Sequence, residues 1–600
     1  MPKPLRAAYL ACLLVLLLRL LGPGGLEPRA ASAAQTAARD ATLAEAELAR
    51  RNGDYDGAAA ILRLLVVEAD PETASEALLQ LGVALVEAGR GGEAAAAARQ
   101  LLARAEAHMQ APASVLLGRA QQVAGDCRAA IASFDEAKRL GTGLAPYLDL
   151  QSAECSGKLG DRAGQAARAA SALAAATSRL AQVDALEHRV DAALKQGDRE
   201  TALQESEQLL TLATTRGYRA QTWTSIGHIQ VGLGRRDAAT RAYATVVAEL
   251  PETAQAPEAL QTLADLNALD AVDNDQAGLV HHFHGRHDRA VAAFATALLE
   301  GLPRERAARA LYHQGRSLLR LERTDEAVDA LQQVAGLVPE SGFAPQALLA
   351  AGRALEAIGY LSEAEALYRQ AADGYPSAWY GQEAHQRLVI SLLLRGALPE
   401  AVQTARELAS GGADSRWKGL ALLWAGKALA RSGDPAGATR AWQQAADLDP
   451  NDFGGLRARA ILDGEPRPTS RPRALDLTAL LPTAADRAEL EGWLRANGVH
   501  PAALDAEQAN DSHYVQAREL VRVGLREQAR WELEQVGSRV ANDPARLYAL
   551  AQAAHDWGEP RLGIRYAVEA RRASGQPLHL LPRLVQRAIM PLPYADLIVA

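Results

Sequence analysis

Cysteine is scarce in this 600-residue sequence: there are 3 in all, and only Cys127 and Cys155 lie beyond the N-terminal apolar stretch. That excludes a disulfide-dense scaffold, the usual solution for small exported domains without an adequate core. Aromatic residues reach only 4%, so packed elements must meet mostly through small side chains. Charge of one sign is missing too, since 64 Lys plus Arg face 72 Asp plus Glu for a net charge of -8, with both signs dispersed. Nothing here forms a nucleic-acid footprint. The sequence also lacks a phosphate-cradling glycine loop, a GxSxG elbow and an HExxH pair, and no catalytic, cofactor-binding or metal-binding residue is assigned. What remains is Ala-rich text punctuated by Gly, which predicts an all-α fold.

The first residues carry an address. Lys3 and Arg6 precede an apolar run from Ala7 to Leu21, and Ala31-x-Ala33 follows as a cleavage site. This is the layout of a signal peptide over 1–33. An uncleaved anchor is the alternative, but the run falls short of the ~20 apolar residues a membrane span needs and Arg19 interrupts it. Cys12 sits inside the run, before most of its apolar residues, and makes a poor lipidation site. The expected location is periplasmic or otherwise extracytoplasmic, with the membrane touched only through the signal peptide before cleavage.

From there a repeat takes over. Breaks recur at Gly53, Gly91, Gly125, Gly160, Gly197, Gly234, Gly285, Gly359, Gly396 and Gly433, with Arg323-Thr324 filling one slot, and most intervals lie between 34 and 38 residues. That period is the mark of paired antiparallel helices stacked in series, and individual copies follow the tetratricopeptide pattern. One copy has Trp223, Gly227, Ala239, Tyr243 and Pro251; others have Gly352, Ala364, Tyr368 and Pro376, or Gly426, Ala438, Trp442 and Pro450. In this reading the glycine admits a facing helix, the alanine fills the narrow gap and the ring plugs the hole beside it. Roughly eleven or twelve units fit on this period within 34–463. The spacing stretches between Gly234 and Gly285, where "LNALDAVDNDQAG" predicts a bend or an extra turn.

A Pro-rich linker is expected over 464–485, where "PRPTSRPRALDLTALLPT" carries four prolines. Helical patterning resumes over 486–589 as a small helical domain, with breaks at Gly524 and Gly558. The closing "MPLPYADLIVA", 590–600, has the pattern of the start of a further helix and is taken as the beginning of a missing C-terminal domain.

Four side chains or clusters invite a chemical reading. "HHFHGRH" holds His281, His282, His284 and His287, with His281 and His284 on one helix face; the same residues fit a repeat turn without any ligand. Cys127 opens one helix and Cys155 closes the next, so an oxidising compartment would join them, the alternative being two small buried residues standing in for Ala. Glu205 lies in "QESE" and Glu340 in "PESGF"; the latter follows Pro339 at a repeat-closing position and is expected in a turn.

The order of these segments resembles the soluble lytic transglycosylases, exported enzymes that cleave the glycan strand of peptidoglycan and leave an anhydro-muramyl end. "PLPYADLI" resembles the entrance to that family's catalytic domain, and "DFGGLRARAILDGEP" resembles its Tyr-rich "YYxLRA" step, with Phe453 and Gly454 in place of the tyrosines. Glu340 resembles the Glu-Ser-x-Phe surroundings of the family's acid, but no Gly-Leu-Met-Gln segment follows it. The resemblance implies a non-catalytic, substrate-positioning portion of such an enzyme, with a tetratricopeptide-like superhelix leading into a helical linker domain. Its implied partner is peptidoglycan, an envelope protein, or both. The competing expectation is an exported tetratricopeptide adaptor that holds an envelope protein or extended peptide.

Overall fold

The computed structural model describes residues 42–449, 452–464, 483–500 and 510–590, the side chain of His579 excepted. The expected signal peptide, most of the Pro-rich linker and nearly all of the closing segment lie outside the described residues. The chain is all-α, and its helices form antiparallel hairpins. In order, α1 covers 42–51, followed by α2 (Tyr55–Glu68), α3 (Pro71–Glu87), α4 (Gly91–Arg104), α5 (Ala107–Val123), α6 (Cys127–Arg139), α7 (Ala145–Lys158), α8 (Arg162–Ala175), α9 (Arg179–Gln196) and α10 (Arg199–Leu212). Next come α11 (Arg216–Gly232), α12 (Arg236–Glu249), α13 (Ala256–Asp265), α14 (Asn274–Phe283), α15 (His287–Glu300), α16 (Arg304–Arg320), α17 (Thr324–Leu337), α18 (Phe343–Ala357) and α19 (Leu361–Gly374). The array continues with α20 (Trp379–Arg395), α21 (Leu398–Ser410), α22 (Ser415–Arg431), α23 (Pro435–Leu448) and α24 (Phe453–Leu462). The last elements are α25 (Ala484–Ala496), α26 (Ser512–Arg522), α27 (Arg526–Arg539), α28 (Pro544–Asp556), α29 (Pro560–Ser574) and α30 (Arg583–Ile589).

Two compact units emerge, and they do not follow the linear order. Among the described residues, the first joins 42–205 with 483–500, 510–576 and 582–590, and the second comprises 206–449 and 452–464 with 577–581. The final helical hairpins therefore belong to the same body as the opening repeats.

Several hairpins are locked at one close approach. A Cβ built on Gly227 would lie 2.6 Å from the Tyr243 ring, one on Gly352 2.6 Å from Tyr368, and one on Gly426 2.3 Å from Trp442. The same contact recurs at Gly118 with Phe134 and at Gly278 with Phe294, and Gly537 makes a similar approach between hairpins, from α27 to Tyr566 of α29. Ala239 and Ala364 are fully buried beside these rings, as expected for fillers of the narrow gap. Few aromatics thus suffice at these contacts, because each ring there is placed where a missing Cβ leaves room for it. Helix starts are set locally: Asp54, Asp126, Asp161 and Asp434 each accept a hydrogen bond from a backbone N–H in the first turn, satisfying a donor that the helix leaves unpaired.

Two turns differ from the sequence reading. The left-handed residue of the second hairpin is Gly89, at φ 74, while Gly91 opens α4 and presses on the backbone of Ala124. In the copy without a turn glycine it is Glu322, at φ 61, that takes the left-handed conformation, immediately before Arg323-Thr324. The stretched register between Gly234 and Gly285 is an inserted element: α13 ends at Asp265, Asn267 turns at φ 50, a 3-10 turn runs over Leu269–Ala271, and α14 follows.

Gly352→Ala should therefore lower the denaturation midpoint, at about 1–3 kcal/mol for an overpacked contact. Gly374→Ala, where a Cβ would meet nothing within 4 Å, should leave it unchanged or raise it. Equal midpoints for both variants in urea titrations would show that the Gly–aromatic contact does not set the hairpin.

Candidate functional site

Within each unit, first helices of successive hairpins touch: α3 meets α5, α7 meets α9, and α14, α16, α18, α20, α22 and α24 meet in succession. These first helices consequently line one face, where side chains are free for other duties once the Gly–aromatic contact is made.

In the first unit, that face is covered by the chain's own final hairpins. The Arg522 guanidinium donates to Glu76 at 2.8 Å and lies 3.0 Å from the Met109 sulfur. Arg526 Nε sits 3.1 Å from Glu87, whose carboxylate also accepts from the nearly buried Arg50 at 2.7 Å. Arg119 donates to the Val523 carbonyl at 3.0 Å, and burial pulls its guanidinium down to about 10. Gly524 makes this approach possible. It has φ 75, and a Cβ there would fall 2.5 Å from Arg119 and 2.9 Å from Val83.

At the centre of this contact lies Glu532, which is 0% exposed. The Tyr147 hydroxyl of α7 donates to one of its oxygens, and His513 Nδ1 meets the other. Burial and the adjacent carboxylate push the Tyr147 hydroxyl above its ordinary range, keeping it a donor. The Tyr147 and Trp531 rings stand 6.5 Å apart and close the apolar side. The same hairpins border a charged cleft of about 470 Å³ together with the opening repeats, lined by Arg51, Glu76, Arg518, Arg522, Asp556 and Trp557.

The second unit presents the same face in a different state. Gly278, Gly315, Gly352, Val389 and Gly426 occupy the close-contact position at intervals of 37 residues, and the residues directly after them are Leu279, Arg316, Arg353, Ile390 and Lys427. Arg316, Arg320, Arg353 and Arg431 are exposed. Carboxylates on the face are engaged by the protein itself: the buried Asp275 is held by Arg306 and by Arg309 at 3.2 Å, and Glu356 accepts from Tyr368 at 2.5 Å and Arg387 at 3.3 Å.

The histidine tract falls at one end of this face. His281 and His284 diverge, since His284 Nε2 lies 3.2 Å from the Pro251 carbonyl. The rings that gather are His282, His287 and His313, with His282 at 4.7 Å from His313 and 5.9 Å from His287. His313 comes from the next hairpin's first helix, so no local motif could announce it. Burial, then His287, Arg316 and Arg320, lower His282 to about 4, and burial lowers His313 to about 3. Among the described residues no group of three or more His, Cys, Asp or Glu is placed to hold a metal ion.

Cys127 and Cys155 do meet, as their places on successive helices required, but the expected bridge is not formed and both thiols are free and buried. Burial, reinforced by Cys127, pushes the Cys155 thiol up to about 12, so neither deprotonation nor exposure favours its reaction. Glu205 is a buried partner of Arg189. Glu340 is exposed in the turn between α17 and α18. Among the described residues no helix is long and apolar enough to cross a membrane.

A tetratricopeptide-repeat family model matches residues 276–342, the stretch that holds the histidine cluster and Arg316. Among solved structures, the chain is similar to a tetratricopeptide repeat protein from Parabacteroides merdae at 14% identity, over 47% of this chain and 99% of that one, with a TM-score of 0.22. It is also similar to yeast Tom70 at 14% identity, over 71% of this chain and 95% of that one, with a TM-score of 0.25. No curated protein matches.

Glu532→Ala should leave Tyr147 and His513 without their shared partner, at a cost of about 3 kcal/mol or more for a broken buried pair. Limited proteolysis should then cut 510–590 faster than in the parent; an unchanged digestion pattern would show that Glu532 does not hold the hairpins down. Asp184 on α9 supplies a pH test. Burial, opposed by His188 and reinforced by Glu187, Glu527 and Glu154, raises its carboxyl to about 6. A raised folded-state value favours folding below the ordinary carboxylate range and loses that contribution as pH rises through 6. Asp184→Asn should therefore raise the melting temperature at pH 7.5 and leave it unchanged near pH 3.5; the same gain at both would exclude this titration. The chain is a tetratricopeptide-like helical repeat protein.

Proposed function

We propose that the chain is a non-catalytic scaffold that holds a protein partner along the first-helix face of its second unit. One observation carries this: the equivalent face of the first unit is already used for protein binding, with the chain's own final hairpins as the ligand. Tyr147, Glu87 and Arg119 show how side chains on successive first helices grip a helical guest there. In the second unit Arg316, Arg320 and Arg353 occupy corresponding places and are exposed.

A finer version places this scaffold outside the cytoplasm, as the positioning portion of an exported peptidoglycan lytic transglycosylase with peptidoglycan or an envelope protein as its partner. Support for it comes from the N-terminal apolar segment, the segment order and "DFGGLRARAILDGEP", whose helix α24 closes the run of first-helix contacts.

The scaffold reading is checked with photo-crosslinking residues placed at Arg353 on the face and at Arg241 on a second helix, in the native host. Adducts of discrete mass are expected at Arg353 and not at Arg241; equal yields at both sites would contradict it. Isolated sacculi discriminate the finer version, since co-sedimentation of the chain is expected for a peptidoglycan partner and its absence would leave the protein partner alone.

A further inference from the structure

The second unit's face is not only open but charged in a pattern, and the pattern specifies a guest. His282, Phe283, Gly285, His287, Arg316 and Arg320 border a pocket of about 350 Å³ at the junction of α14, α15 and α16. Arg316 stays extended beside Tyr312, donating to its hydroxyl at 3.0 Å with the guanidinium 5.8 Å from the ring centre. Neither Arg316 nor Arg320 has a carboxylate partner among the described residues, in contrast to Arg306, Arg309 and Arg387 on the same face. Of the histidines on its wall, His287 has a buried and unpartnered Nδ1 and His282 spends its own on Ser317 at 2.8 Å, while His313, packed against His282 at 4.7 Å, also keeps a buried and unpartnered Nδ1. The pocket thus has cations at its mouth, polar nitrogens within and the exposed Phe283 ring on one wall.

From this pocket the basic positions continue along the face. Arg353 follows Arg316 after one 37-residue period, Lys427 after two more, and Arg431 follows Arg320 after three. Lys427 lies 3.8 Å over the Trp424 ring, and Arg353 is 3.7 Å from Glu383. Adjacent packed helices stand about 8–10 Å apart, while an extended chain rises about 3.3 Å per residue. One repeat therefore spans about three residues of an extended guest.

We propose that this face binds an extended acidic peptide bearing a carboxylate at about every third residue, with one carboxylate seated between Arg316 and Arg320 in the histidine pocket. Charge complementarity selects the occupant. The pocket is too small for a folded domain and admits a single side chain, and a planar guanidinium pair suits a carboxylate. A seated carboxylate would also lift the ionisation of His282, which burial and those same cations now hold down to about 4. The inference rests on the scaffold reading above and names the class of its partner.

The test uses the full chain and a fluorescein-labelled peptide of about twelve residues, long enough to span several repeats, with Glu at every third position and Ser elsewhere. The comparison probes are the same peptide with Gln for Glu, inorganic phosphate, and a single-stranded oligonucleotide. Expected are binding of the Glu peptide that weakens with salt, no binding of the Gln peptide, and no displacement by phosphate at matched ionic strength. Arg320→Glu and Arg353→Glu should each weaken binding by about tenfold or more, the scale of one lost charge-assisted contact, and Arg241→Glu should not. Bound peptide should protect His287 from diethyl pyrocarbonate. Equal affinity for the Glu and Gln peptides, full displacement by phosphate, tighter binding of the oligonucleotide, or indifference to Arg320→Glu would each overturn the proposal. Crosslinked partners at Arg353 together with failure of the Glu peptide would sink this inference and leave the scaffold reading standing; absence of those crosslinks would remove the reading itself.

Discussion

Everything in this fold depends on how closely a glycine on the first helix of a hairpin lets an aromatic ring of the second helix approach. Where Gly227, Gly352 and Gly426 face Tyr243, Tyr368 and Trp442, a single Cβ would fall inside van der Waals contact. Helices held at that distance leave little room between them, so Ala dominates the remaining core positions and the apolar area per residue stays low. Stability then accumulates over many similar contacts, each dependent on its neighbours in the series. The low aromatic content is a consequence of this arrangement.

Locking the hairpins through their inner sides leaves the first-helix face chemically unconstrained, and the two units use that freedom differently. In the first, the face is spent on α26, α27 and α28. Glu532 is the pivot because it is a buried carboxylate whose two oxygens are claimed from different parts of the chain, by Tyr147 and His513. Charged contacts around it, such as Arg522 with Glu76, are partly exposed and contribute register more than energy. In the second, acidic groups such as Asp275 and Glu356 are consumed by internal pairs, and Arg316 and Arg320 have no carboxylate partner among the described residues.

Much of the hairpin architecture was legible in the sequence because its determinants are local. Turn glycines and the Gly–Ala–aromatic triplet are separated by a few turns of helix, and most of the turn glycines do take the left-handed conformation. The misses have the same character. Glu322 does in one turn what Gly does in the others, which composition cannot signal, and the spacing alone points to Gly91 where Gly89 makes the turn two residues earlier. The site was much less legible. His281 and His284 share a helical phase, yet His284 turns to the Pro251 carbonyl and His281 Nδ1 has no partner, whereas His313 joins His282 across 31 residues because successive first helices touch. Contact between Tyr147 and Glu532 spans 385 residues, and nothing periodic links them. Cys127 and Cys155 were placed together correctly, since both flank one hairpin, but adjacency alone did not decide their oxidation state.

The central claim is that one face does two jobs, covered by the chain itself in the first unit and open in the second. Hydroxyl-radical footprinting of the full chain measures this directly through residues of high intrinsic reactivity. Met109 and Tyr147, at 3% and 1% exposure, should be oxidised slowly, while Phe283 and Trp379, each at 46%, should react fast. Comparable oxidation rates at Met109 and Phe283 would contradict the account.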